Sequence, residues 1–145
     1  MRNLVIAAVL ALLLPWSAFA DESDRTHLPM PPRPEGQPPA AFSNGVLIGK
    51  TLYISGHTSG KPTGSTADEA KVALDGIKSA ITAAGMTMDD LVWVQVFCTD
   101  LTLYNDFNTA YGTYFKGPLP ARAFLGTDKL LGGSHFEVMG IAIKK

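Results

Sequence analysis

With 145 residues, 12 basic and 13 acidic side chains and a formal charge of −1, the chain has room for one ordinary domain and no charge surplus to attract a polyanion. Nucleic acid is therefore not expected as a partner. The single cysteine, Cys98, excludes an intramolecular disulfide.

Residues 1–20 read as a targeting segment outside the fold. Arg2 supplies a positive charge, an apolar run extends from Leu4 to Leu14, and Ala18-Phe19-Ala20 forms a small-residue cleavage pattern. The run is shorter than the roughly 20 apolar residues that a bilayer span requires. A secretory signal peptide cleaved after Ala20 is expected, with the mature protein periplasmic or secreted. No later stretch is apolar for long enough to span, so no stable membrane association is expected after cleavage.

Residues 21–40 are polar and proline-rich, with Pro29, Pro31, Pro32, Pro34, Pro38 and Pro39. Proline removes a donor and fixes φ, so neither a helix nor a central strand is expected there. This segment reads as an extended leader, draped over the domain or mobile, and no role is assigned to its His27. The domain proper is expected over residues 41–145, beginning near Phe42.

Gly45–Lys50 and Thr51–Gly56 are two short apolar runs joined tightly, as in a hairpin. After a polar loop, Thr66-Ala67-Asp68-Glu69 has the spacing of a capping box. Ala70, Ala73, Leu74, Ile77, Ile81 and Ala84 then recur at helical spacing until Gly85. Leu91 to Cys98 reads as a strand with Val92, Val94, Val96 and Cys98 on one face and Trp93, Gln95 and Phe97 on the other. Two apolar faces imply that both are covered, the second by another subunit in so small a chain. Cys98 reads as a small core residue on that strand. Leu103, Phe107, Tyr111, Tyr114 and Phe115 outline a second helix ended by Gly117 and Pro118, and Ala121–Leu125 and Phe136–Ile143 read as the last strands. The expected class is α+β, in the order β-β-α-β-α-β-β.

His27, His57 and His135 are scattered without metal-ligand spacing, so no metal is expected. No phosphate-binding glycine loop and no nucleophile elbow are present, and Ser55-Gly56-His57 alone reads as a strand end. Two charges stand out. Arg122 follows the rigid Pro118-Leu119-Pro120-Ala121 entry to a strand, and Glu137 interrupts an apolar strand. They could form a structural ion pair, face water at an edge, or carry chemistry.

Seven segments bear on that choice, in order: Phe42–Gly45 (FSNG), Leu52–Gly56 (LYISG), Ala80–Gly85 (AITAAG), Asp89-Asp90-Leu91-Val92 with Val94, Asp106-Phe107-Asn108 with Tyr111 and Phe115, Pro118–Arg122 (PLPAR), and Glu137-Val138 with Ile141-Ala142. Over the whole domain the chain resembles the Rid (YjgF) family of imine deaminases. The resemblance implies a chorismate-mutase-like fold, a mixed sheet with two helices on one face, assembled as a homotrimer with sites in the clefts between subunits. It implies cofactor-independent hydrolysis of 2-imino or 2-enamino acids to 2-oxo acids and ammonia. Arg122 would pair bidentately with the substrate carboxylate, a geometry lysine lacks. Glu137 would serve the attacking water. Backbone groups at Gly56 and at Ala123-Phe124 would complete the pocket, supported by Ser55 and Asn108. Phe42 and Phe124 stand where many members have tyrosine and cysteine. Those two rings favour an alternative, in which the same cleft binds small carboxylates such as 2-oxo acids or amino acids without turnover. A ribonuclease or protein-interaction role is a third option, which the acidic balance and export signal oppose.

Overall fold

A computed structural model describes residues 24–32 and 35–145; the segment read as a signal peptide lies outside the described residues. Six strands form one sheet in the spatial order β1-β2-β3-β6-β4-β5. These are β1 (Arg25–Leu28), β2 (Gly45–Ile48), β3 (Thr51–Thr58), β4 (Leu91–Cys98), β5 (Ala121–Gly126) and β6 (Phe136–Ile143). The helices α1 (Thr66–Ala83) and α2 (Tyr104–Tyr111) complete the fold. All neighbours are antiparallel except β4 and β5, whose parallel pairing requires the crossover that α2 supplies.

The proline-rich leader contributes β1, a strand outside the expected seven elements. It is an edge strand on β2, the one place where a neighbouring proline run is tolerated. Leu28 is buried in the core, and His27 Nδ1 lies 3.0 Å from Ser43 Oγ.

Helix α1 starts one residue earlier than its expected capping box. Ser65 is the cap, accepting from the Asp68 N–H at 3.2 Å. Glu69 instead lies on the buried face and pairs with His135 at 2.7 Å. The helix closes on Gly85 (φ 69°), where the Gly85 and Met86 N–H groups bond back to Thr82 and Ile81. Helix α2 ends at Tyr111, and a 3₁₀ turn at Gly112–Tyr114 carries the apolar pattern onward in place of further α-helix.

Both helices pack on one face of the sheet. Leu74, Ile77, Ile81 and Phe107 meet Leu52, Val94, Val96, Phe136 and Val138 there, all essentially excluded from water. Cys98 belongs to this core: burial pushes its thiol pKa up, and Sγ donates to the Asp100 carbonyl. The opposite face carries Tyr53, Trp93, Gln95, Phe97, Met139 and Ile141, and among the described residues no element covers it. Val92 does not share the face of Val94, as alternation implies. A register shift between Leu91 and Trp93 buries Leu91 and leaves Val92 exposed. Among the described residues no helix is long and apolar enough to cross a membrane.

Candidate functional site

β5 pairs with β4 in the register Val94↔Arg122 and Val96↔Phe124. Since Val94 and Val96 face the helices, this register aims Arg122 and Phe124 toward α2 at the sheet's edge. Tyr104, Asn108 and Tyr111 occupy successive turns of α2 and meet them there. Arg122 Nη2 donates to Asn108 Oδ1 at 2.7 Å and lies 3.4 Å from the Tyr104 hydroxyl. Its guanidinium carbon stands 4.5 Å from the centre of the Tyr111 ring and 5.6 to 5.8 Å from those of Phe124, Tyr104 and Phe107. Cation–π attraction favours a charge so placed. Edge-on packing of Phe124 against Tyr104 (5.0 Å) and Phe107 (5.3 Å) fixes the rings in turn.

No carboxylate among the described residues pairs with Arg122. Its surroundings therefore hold the cation's plane and leave its charge available. A hollow of 430 Å³ lined by Asn108, Tyr111, Gly112, Leu119, Pro120 and Arg122 opens beside it. Two phenols border the cation. The Asn108 side chain beside it and then the Arg122 charge lower the Tyr104 pKa below its ordinary value. Burial pushes that of Tyr111 to about 12, against a smaller opposing pull from Arg122, and its hydroxyl is buried without a partner.

Glu137 lies elsewhere. It pairs with Phe97 across β4 and with Thr58 across β3, which turns its side chain to the uncovered face. Its carboxylate lies over Gly56, at a register shift in β3 between Ile54 and His57; a Cβ on Gly56 would overlap it. Ser55 is locked beside it, donating through Oγ to the Ser43 carbonyl at 2.6 Å. Ser55-Gly56-His57 is thus a mid-strand bulge and not a strand end. His57 turns the other way, against Gly76 of α1; burial lowers its pKa, and its Nε2 is buried without a partner.

The residues singled out in the sequence therefore fall into two groups. Arg122, Asn108 and Phe124 come together on the helix side of β5. Gly56, Ser55 and Glu137 come together on the open side of β3 and β6, with the exposed Phe42 just before Ser43. Ala123 pairs with Gln95, so its side chain faces opposite to that of Arg122. Within one chain Arg122 and Glu137 do not form the ion pair considered above. They stand on opposite faces of the sheet, two strand spacings or about 10 Å apart laterally. Tyr104 was not marked in the sequence, although its spacing to Asn108 and Tyr111 places all three on one helical stripe. Among the described residues no three acidic, histidine or cysteine side chains are grouped so as to hold a metal ion.

Comparison with known proteins gives a consistent picture. The family model described as endoribonuclease L-PSP matches residues 33–144. A protein of Rattus norvegicus named 2-iminobutanoate/2-iminopropanoate deaminase is 36% identical over 110 residues, spanning 72% of this chain and 80% of its own length. A Homo sapiens protein of the same name is 35% identical over 109 residues, 71% of this chain and 80% of its own. The solved structure of the YjgF gene product of E. coli superimposes with a TM-score of 0.69 at 26% identity, covering 73% of this chain and 90% of that one.

Proposed function

Because the chain belongs to the endoribonuclease L-PSP family, the Rid (YjgF) imine deaminases, we propose that it hydrolyses 2-imino acids to 2-oxo acids and ammonia, in clefts formed between copies of a homotrimer. One observation carries the proposal: Arg122 is held by Asn108 and four aromatic rings, with no carboxylate paired to it among the described residues. A planar cation in that state accepts the carboxylate that every 2-imino acid bears.

Turnover needs a second group, and Glu137 fits the task. In the proposed reaction water adds to the C=N carbon while Glu137 takes one of its protons. Glu137 returns that proton to the nitrogen, giving a tetrahedral aminoalcohol, and transfer of the hydroxyl proton to the nitrogen through Glu137 then expels ammonia and leaves the 2-oxo acid. Arg122 clamps the carboxylate, and the Gly56 backbone, with Ser55 behind it, frames the imine. Since Arg122 and Glu137 face opposite sides of one sheet, the reading brings the Arg122 of one copy to the Glu137 of another. The uncovered apolar face, with Trp93, Phe97 and Met139, supports such an assembly. The apolar run and cleavage pattern of residues 1–20 support export, with the mature chain starting at Asp21 in the periplasm or outside the cell.

The test is release of 2-oxo acid and ammonia from an imine generated in situ by an amino-acid oxidase. Wild type should accelerate it strongly and Arg122→Ala should not. Equal rates for the two overturn the reading. Capture of a carboxylate without turnover is the second reading, favoured by the fact that the Arg122 clamp is complete within one chain. Thermal stabilisation by pyruvate with no acceleration of imine hydrolysis would establish it.

A further inference from the structure

Beyond the Arg122 anchor, and resting on the reading that a carboxylate docks there, we infer that Tyr104 is a second, direct hydrogen-bond donor to that carboxylate. The inference starts from how the protons around Arg122 are shared. Nη2 carries two hydrogens. Asn108 Oδ1 takes one at 2.7 Å. The other faces the Tyr104 oxygen across 3.4 Å, longer than an ordinary N–H···O bond. An anionic oxygen entering beside that gap can accept from Nη2 at ordinary distance and come within reach of the phenol.

The phenol's own hydrogen is free to meet it. Arg122 can only donate. Asn108 spends its oxygen on Arg122, so the group it has left to offer the phenol is its amide nitrogen, which can only donate. Neither neighbour has an acceptor left for the phenol's hydrogen, so the O–H is free to point away from them. Tyr104 is 42% exposed, so that direction is open at the mouth of the site. The ring itself is held edge-on by Phe124 at 5.0 Å, which fixes where the hydroxyl stands. The two residues thus act in series: the aromatic substitution at Phe124 orients the donor rather than filling the site.

Pyruvate is the probe, measured by titration calorimetry on the full-length protein. Tyr104→Phe keeps the ring and its packing, so thermal stability should be unchanged while pyruvate binds about tenfold more weakly, as for one hydrogen bond to a charged group. A structural role would not move the pH profile. The titratable groups around the guanidinium are Tyr104 and Tyr111; burial pushes Tyr111 up to about 12, whereas Tyr104 is lowered from its ordinary value. Wild-type affinity should therefore fall as pH approaches 10, when the phenol becomes a repelling anion, and Tyr104→Phe should lack that fall. Unchanged affinity in Tyr104→Phe, an unaltered alkaline limb, or pyruvate binding that survives Arg122→Ala each overturns the inference. Pyruvate binding that depends on both residues, without imine turnover, upholds it and overturns the deaminase reading instead.

Discussion

Without the Asn108 amide, Arg122 would keep four rings around it but lose the one strong acceptor that sets its plane. Asn108→Ala is therefore expected to raise the Kd for pyruvate about tenfold, the scale of a charge-assisted hydrogen bond. Asn108→Asp should do more harm than the alanine, although it preserves shape and an acceptor. Its new carboxylate would neutralise the cation that the ligand needs. Titration of both variants checks the order, and an aspartate variant that binds as well as wild type would contradict it. His57 gives a second residue-scale expectation, this time on stability. Burial lowers its folded pKa from 6.5, so the unfolded chain takes the proton first as pH falls. Stability should be intact above about pH 6.5 and decline below it, until the lowered folded pKa is passed. The carboxylates with lowered pKa (Asp68, Asp89 and Asp100) begin to act only near their unfolded value of 3.8. Thermal melts of wild type and His57→Gln between pH 7 and 4.5 should separate the two contributions, with the variant showing a flatter slope.

At the scale of elements, the bulge in β3 is what brings backbone and carboxylate together. Gly56 has no positive φ, so alanine suits its backbone; the obstacle is the Glu137 carboxylate that a Cβ would overlap. The end of that side chain can swing away at little cost to the fold. Gly56→Ala should thus melt close to wild type while imine hydrolysis falls about a hundredfold, the lower range for a displaced general base. A variant that keeps full activity would show that the position of Glu137 over Gly56 does not matter. Local legibility follows the same physics. β4 and β6 have the bounds expected from their apolar runs, because a run of β-branched and aromatic residues marks a strand's extent without tertiary help, although the register shift at Leu91 to Trp93 is not legible in it. The start of α1 differs by one residue from the expected capping box because Ser65 and Asp68 share the spacing of Thr66 and Glu69, and only burial reveals which of the two acidic residues faces the core. β1 is hidden by the prolines that follow it from Pro29 onward, and an edge strand needs no alternation and little apolar content. Tyr104 is illegible in the sequence for a related reason: a tyrosine at a helix start looks like surface until Arg122 is brought beside it.

At the scale of the whole molecule, the apolar character of both faces of β4 was legible from side-chain alternation, and it points to a covered sheet. Which face each candidate charge occupies was not, because that depends on the parallel register Val94↔Arg122 and the antiparallel register Phe97↔Glu137. Those registers decide how the site can be assembled. If each cleft takes Arg122 from one copy and Glu137 from the next, neither Arg122→Ala nor Glu137→Gln should hydrolyse imines alone. Refolding the two variants together gives mixed assemblies. In random mixtures about a quarter of the clefts then pair the intact Arg122 of one copy with the intact Glu137 of its neighbour, as cyclic symmetry requires. Activity should return to about that fraction of wild type, and should scale with the product of the two variants' proportions. A site confined to one chain allows no such recovery, because every copy lacks one of its two groups. Ile141→Glu supplies the companion measurement. It places a charge in the middle of the uncovered face, opposite Trp93 and Tyr53, and should yield a folded monomer by light scattering that is inactive for the same reason. An active Ile141→Glu monomer, or mixed variants that stay silent, would place both groups' work within a single copy and remove the need for the trimer.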